Sequence, residues 1–356
     1  MPGIGSPPKS ILIIRLSAIG DVIMASGLIP ALRAAYPDAR IAWLTESTNS
    51  DLLRHNPRLD QVFLWPRGRW RQLRRERRYR ELWREARGLV GALRAERFEW
   101  VIDLQGLIKS GIWAWLSRGR RRVGLGSREG SQFLMTEIAD RRVNDVRIGK
   151  EYRKLAETLT GRADTFALDI AVSDDDRKGA KELLESTGVI GKYAVICPFT
   201  TRPQKHWFDE RWAELAARLA GERRLAVVML GGPADKARAE SIAAQTPGLV
   251  DLAGRTNLGQ CAAVVEKAKL LIGVDTGLTH LGIALSVPTV AIFGSTRPYL
   301  DTGRPTARVL YEPLDCSPCR RRPTCGGTFD CMKAHTVESV LTAIETLESI
   351  GEHKGE

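Results

Sequence analysis

Between residues 269 and 294 the chain reads KLLIGVDTGLTHLGIALSVPTVAIFG, in which two β-branched apolar runs, 270–274 and 289–293, bracket a segment with helical spacing that opens on Asp275-Thr276-Gly277. Short runs that are apolar at every position suit buried strands of a parallel sheet, so the stretch predicts strand, phosphate-binding turn, helix, strand. Thr276 and Gly277 fall where the first helical turn leaves its N–H groups without partners, a place where a phosphate or diphosphate can be held. Read more plainly, Asp275 or Thr276 caps a helix and does nothing else. His280 lies four residues after Thr276 on the same helical face. A second polar cluster, Thr200-Thr201-Arg202-Pro203-Gln204-Lys205-His206-Trp207, follows another apolar run at 193–197. In an open parallel sheet both clusters sit at the carboxyl ends of strands, where ligands bind.

The same alternation runs through the whole chain. Strands are predicted near 11–14, 41–44, 62–64 and 100–104, and again near 193–197, 225–230, 249–252, 270–274 and 289–293, with helices between them. One helix is expected from the Ser17–Asp21 turn to about Ala35, ended by Pro37, and an amphipathic helix over 337–350 closes the chain. The polar, helix-initiating run at 171–176 marks a boundary between domains 1–172 and 173–356. The predicted class is α/β. No GxGxxG is present, which weakens a nicotinamide or flavin reading. No apolar run reaches the roughly 18–20 residues that span a bilayer, and MPGIGSPPKS leads into a strand without a signal-peptide pattern, so a cytoplasmic protein is expected.

V-D-T-G-L-T-H at 274–280, T-T-R-x-x-K-H-W at 200–207 and S-A-I-G-D at 17–21 resemble, in order, three signature blocks of the lipopolysaccharide heptosyltransferases of glycosyltransferase family 9, most closely the heptosyltransferase I type. D-x-Q-G-L-x-K-S at 103–110 resembles a fourth. The resemblance implies a GT-B fold, two Rossmann-like domains facing across a cleft, and inverting transfer of heptose from ADP-heptose to the inner-core sugar acid (Kdo) of lipopolysaccharide. It implies Asp21 as the base for the acceptor hydroxyl and Lys205 as the charge opposite the leaving diphosphate. Donor contacts carry over to Thr200, Thr201, Asp275, Thr276, Gly277 and His280, and to Asp235, whose side chain is one methylene shorter than the family's ribose-holding residue. Transfer without a catalytic metal is implied, and the lack of an Asp-x-Asp pair agrees. On position alone, Asp21 would be an acidic residue placed at a helix N-terminus for the dipole.

Charge is divided unevenly. Residues 1–172 hold 31 Lys and Arg against 19 Asp and Glu, whereas residues 173–356 hold 23 of each, so the net +12 lies in the first half. An anionic partner of that half is implied: a phosphorylated substrate, an anionic membrane surface touched peripherally at its cytoplasmic face, or nucleic acid. Residues 67–87 carry ten arginines and three glutamates among Trp70, Tyr79 and Trp83. Such a run is usually a solvated helix, but Arg67, Arg69 and Arg71 resemble residues the family presents to its acceptor, and Arg120 and Arg128 belong to a second basic surface that can do the same. Arginine forks match phosphate and carboxylate oxygens two at a time.

Of six cysteines, Cys316, Cys319, Cys325 and Cys331 cluster in a turn-rich loop, 314–331, whereas Cys197 and Cys261 read as small core residues. C-x2-C followed by two wider spacings predicts a structural Zn or Fe held by four thiolates. The loop departs from heptosyltransferase I toward heptosyltransferase II and the autotransporter heptosyltransferases, which keeps open a protein O-heptosyltransferase. From another class, a basic nucleic-acid-binding protein without catalysis would explain the arginine run but not the dispersed polar blocks.

Overall fold

The computed structural model describes residues 6–162, 164–319 and 322–352. Residues 1–5, on which the reading of the N-terminus partly rests, lie outside the described residues. The chain forms two compact units, one of residues 1–145 with 149–171 and one of 146–148 with 172–356. Residues 146–148 join the second unit by backbone bonds to Asp301, from Ile148 N–H at 2.8 Å and to Val146 C=O at 3.1 Å.

The first unit comprises β1 Ser10–Ile14, α1 Ile19–Ala25, α2 Leu28–Ala35, β2 Arg40–Glu46, β3 Gln61–Trp65, α3 Arg67–Arg75, α4 Tyr79–Ala95, β4 Trp100–Asp103, α5 Ile108–Leu116, β5 Arg121–Leu125, β6 Glu137–Ala139 and α6 Lys150–Thr160. The strands pair in the order β3-β2-β1-β4-β5-β6, all parallel. The order reverses between β1 and β4, and ligands of open α/β sheets bind at the carboxyl end of such a reversal. The aliphatic residues of β1, Ile11 to Ile14, are fully buried, as a strand covered by helices on both faces requires.

Two helices expected as single are broken. The first is interrupted between Ala25 and Leu28, where Gly27 lets the Phe166 ring approach so closely that a Cβ would lie 2.6 Å from it. The arginine run breaks at Arg77, whose φ of 58° ends α3 before α4 begins. The stretch 118–128, read from sequence as basic surface, contains β5: Val123 and Leu125 are buried, so the strand is half hidden beneath its charged neighbours.

The second unit comprises α7 Asp174–Ser186, β7 Tyr193–Cys197, α8 Asp209–Arg223, β8 Ala226–Met229, α9 Lys236–Ala244, β9 Leu249–Asp251, α10 Leu258–Lys267, β10 Leu270–Val274, α11 Gly277–Ala284, β11 Thr289–Phe293, β12 Ala307–Tyr311, α12 Asp330–Lys333 and α13 Val337–Glu352. Ser173 caps α7, its hydroxyl accepting from the Asp176 N–H at 3.0 Å. The sheet order is β12-β11-β10-β7-β8-β9, again parallel and again reversing between the first and fourth strands, here β7 and β10. Each unit is thus Rossmann-like, and the α/β prediction holds. Helix α13 buries Val340, Ile344 and Leu347 in the second unit's own core, beside Val290 and Ile292 of β11. Among the described residues no helix is long and apolar enough to cross a membrane.

Candidate active site

Because β7 and β10 are adjacent, the loops after them emerge side by side. The Lys205 ammonium meets Asp275 Oδ2 at 2.7 Å, with the two side chains only 16% and 15% exposed. Thr296, after β11, donates its hydroxyl to the same oxygen at 2.6 Å. His280 places Nε2 3.4 Å from Asp275 Oδ1 and Nδ1 2.7 Å from the Tyr299 hydroxyl. Burial pushes the Tyr299 phenol well above its ordinary range, and the Asp275 charge adds to this, so Tyr299 keeps its proton and can donate it to Nδ1. Nε2–H then faces the carboxylate. Burial alone would raise the Asp275 carboxyl, but the His280 hydrogen bond and the Lys205 charge overcome it and hold the group well below the usual carboxylate range.

Thr276 is the N-cap of α11, extended at φ −142° and ψ 164°, and its side chain makes no capping bond. The N–H groups at the start of α11 and the Lys205 ammonium therefore gather beside one carboxylate at the reversal of the strand order. With Thr296 and His280 also bonding Asp275, Lys205 can turn toward an incoming anion without leaving that carboxylate bare. Thr200 is half-buried and Thr201 exposed on the loop after β7. His206 instead packs against Arg238, and burial followed by the Arg238 charge lowers its pKa. Asp235 follows β8 and accepts from the Gly232 N–H at 2.8 Å, so one of its oxygens stabilises its own turn.

In the first unit, Asp21 pairs with Arg15 at 2.5 Å, and Arg15 is buried and donates to the Leu104 C=O at 2.9 Å, just past β4. The guanidinium thus pins Asp21 at the reversal between β1 and β4. Among the described residues the contacts of Asp21, with Arg15 and with the Ala18 N–H, fall on Oδ2, leaving Oδ1 outside the pair. Lys109 lies 3.4 Å from the Ser17 hydroxyl and 3.8 Å from Glu46; burial, with the Arg67 and Arg15 charges, lowers its pKa against the opposing pull of Glu46. Asp103 is fully buried and builds the turn that carries Lys109, accepting from the Gln105 and Gly106 N–H groups and the Ser110 hydroxyl; burial pushes its pKa up. Gly106 is required there: φ is +66°, and a Cβ would meet the Leu125 C=O at 2.6 Å.

Arg67 reaches this edge, bonded to Glu46 at 3.1 Å and lying over the Trp65 ring. Arg69 is held by Glu85 at 2.6 Å, whereas Arg71 is exposed. Arg128 follows the carboxyl end of β5 and Arg120 precedes its amino end, so the structure sets these two on opposite edges of one sheet. Sequence reasoning missed Arg15, Lys109, Thr296 and Tyr299 as site residues. Gly294-Ser295-Thr296, a polar turn directly after an apolar strand, is the signal that could have found Thr296.

The cysteine loop leaves the expected structural Zn or Fe without support. The four thiols are close enough to influence one another's ionisation: burial first, then Cys319, Cys316 and Cys325, raise Cys331. Yet among the described residues no group of three His, Cys, Asp or Glu has the arrangement to hold a metal ion. Cys331 is buried beside Gly294 and Met332, turned into the end of β11, while Cys325 is only partly exposed. The residues as arranged do not fit a closed four-thiolate site, and no chemistry is assigned to one.

The sequence model of Glycosyltransferase family 9 (heptosyltransferase) matches residues 86–327. The chain is 29% identical over 323 residues to lipopolysaccharide heptosyltransferase 1 of Pseudomonas aeruginosa, covering 88% of this chain and 87% of that protein. The E. coli heptosyltransferase WaaC with ADP superimposes with a TM-score of 0.71 at 25% identity, over 94% of this chain and 99% of that one. A family 9 glycosyltransferase from Veillonella parvula shares the fold at a TM-score of 0.77 and 24% identity, over 95% and 97%.

Proposed function

We infer the reaction from one premise: this chain belongs to glycosyltransferase family 9, the heptosyltransferases. It moves a heptosyl group from ADP-heptose to an anionic sugar acceptor, the inner-core sugar acid (Kdo) of lipopolysaccharide. The observation that carries the reading is the Lys205–Asp275–His280–Thr296 cluster beside the α11 N-terminus, at the strand-order reversal of the second unit. The second unit holds the ADP diphosphate, with the first N–H groups of α11 and the Lys205 ammonium on its oxygens. As the glycosidic bond breaks, negative charge grows on the departing phosphate, and a preplaced ammonium stabilises that state more than the ground state.

The first unit takes the acceptor. Oδ1 of Asp21, outside the Arg15 pair, accepts the acceptor hydroxyl proton as the oxygen attacks the anomeric carbon from the side opposite the leaving diphosphate, which inverts that centre. Arg67, Arg71, Lys109 and Arg128 supply the positive edge that binds the acceptor's carboxylate and phosphates. Because that acceptor is lipid-linked, the chain works at a membrane surface, the cytoplasmic face of the inner membrane. A nucleic-acid-binding protein without catalysis does not account for family membership, and the cysteine arrangement gives the protein-acceptor reading no support.

The test is incubation with ADP-heptose and lipopolysaccharide truncated at the sugar acid, followed by mass spectrometry. A product heavier by one heptosyl residue is expected, with ADP released in equal amount. ADP-heptose left intact with that acceptor, while the chain binds ADP normally, would refute the acceptor assignment.

A further inference from the structure

Helices α3, α4 and α5 share one core. Leu93 of α4, Trp113 and Ala114 of α5 and the half-buried Trp70 of α3 pack in a single cluster with Leu12, Leu44 and Val101 of the first sheet, so all three helices cover the same face of that sheet. Their opposite faces therefore look outward on the same side of the unit. Polar residues are expected there, yet Trp83 of α4 is 68% exposed and Trp115 of α5 is 54% exposed. Ile108 and Ile112 stand on the Trp115 face at spacings of seven and three residues, which places all three on one helical stripe. The turn Ser131–Leu134 packs on α5 at Gly111 and presents Phe133, 84% exposed. On α4, Arg80, Arg84 and Arg87 line a groove with Tyr79 and Trp83.

These arginines differ from their neighbours. Arg78 is held by Glu76 and Glu81, and Arg69 by Glu85, whereas Arg80, Arg84 and Arg87 make no ion pair among the described residues. A solvated basic helix accounts for the charge but not for indoles, a phenyl ring and two isoleucines turned to water beside it.

We propose that the outer face of α4, α5 and the 131–134 turn is the surface by which this chain docks on an anionic lipid bilayer. Arginine stems lie along apolar surface while their heads meet lipid phosphates, and tryptophan and tyrosine prefer the headgroup level. Phe133 and the isoleucines enter the acyl boundary. Single-stranded nucleic acid also stacks on aromatic rings, but the aliphatic Ile108 and Ile112 offer no such platform and match acyl chains. The proposal rests on the transferase reading only for the need to reach a lipid-linked acceptor. It names residues outside the donor and acceptor contacts.

The full chain is sedimented with vesicles of phosphatidylcholine alone and of phosphatidylcholine with phosphatidylglycerol, at low and high salt. Binding to the anionic vesicles only, weakened by salt, is expected. Arg80→Gln, Arg84→Gln and Arg87→Gln together should weaken it on the order of a hundredfold, at about one kcal/mol for each charge near the surface. Trp83→Ser with Trp115→Ser should weaken it at least tenfold, with melting temperature unchanged because both rings are exposed. Lys178→Gln, Lys181→Gln and Lys192→Gln, which remove the same charge from exposed positions of the second unit, should leave vesicle binding as in wild type. Wild-type indifference to the anionic vesicles, equal loss in this control, or a loss confined to oligonucleotide binding overturns the proposal. Heptose transfer to a water-soluble sugar-acid acceptor is measured beside it: no transfer by any variant counts against the transferase reading, and normal transfer with lost vesicle binding separates the two.

Discussion

Replacing Lys205 by Met keeps the length of the side chain and removes the ammonium 2.7 Å from Asp275. Taking one partner from a fully buried ion pair costs about 3–5 kcal/mol. Here both side chains keep some water, and Asp275 retains Thr296 and His280, so about 2 kcal/mol is expected. For a unit of this size that is about 4–8 °C in melting temperature. The deficit has a signed pH dependence. The Asp275 carboxyl is held below its ordinary range in the folded chain, so its contribution is complete above the unfolded value of about 3.9 and is lost as pH falls through the lower folded value. The difference between wild type and variant should stay constant in the neutral range and narrow only below about pH 4. Function is affected separately. Loss of a charge-assisted hydrogen bond to the diphosphate should weaken ADP binding roughly 10- to 100-fold. Loss of a charge that acts on the leaving group should slow single-turnover transfer by roughly 10²–10³. Calorimetric melting across pH, ADP titration and rapid-quench transfer measure the three effects. A variant that melts with wild type, binds ADP as tightly and transfers within a factor of about three of wild type would refute both the ion-pair reasoning and the leaving-group role.

Asp21→Asn should abolish turnover while ADP-heptose affinity stays within about twofold, because the base acts on the acceptor; full activity removes Asp21 from that role. Thr296→Val deletes a 2.6 Å bond to the Asp275 carboxylate at constant shape, so the second unit should lose about 1.5–3 kcal/mol in denaturant unfolding at pH 7 and clearly less below the carboxylate range. Arg67→Gln with Arg71→Gln should raise KM for an anionic acceptor and flatten its salt dependence with donor affinity unchanged, and equal weakening of the donor would show that these arginines do not separate the two substrates. Cys325 is partly exposed and its pKa is lowered, first by the Phe329 backbone N–H, so timed alkylation near neutral pH should label it before any other thiol; Cys197, fully buried with its pKa raised by that burial, should label last.

Strands β1, β7, β10 and β11 were legible in the sequence because a run such as LLIGV is apolar at every position, a local property that burial on both faces imposes. The Asp275-Thr276-Gly277 turn and the Lys205 loop were legible for the same reason: each follows its strand directly, and parallel strands bring their carboxyl ends to one edge. That Lys205 grips Asp275 was not. The two are seventy residues apart in sequence, and only the strand order, with β7 hydrogen-bonded to β10, makes their loops neighbours. Thr296 and Tyr299 join through the next strand, β11, and Arg15 reaches Asp21 because it is anchored on the residue after β4. Arg120 and Arg128 look alike as charge in a basic stretch, but a five-residue strand between them sends them to opposite edges. The cysteine spacing looked like a ligand set, whereas among the described residues no group of three His, Cys, Asp or Glu is arranged to hold a metal ion. Periodicity and capping are local and survive in one dimension; side-chain convergence depends on which distant strands hydrogen-bond to each other, and that is decided only when the sheets form.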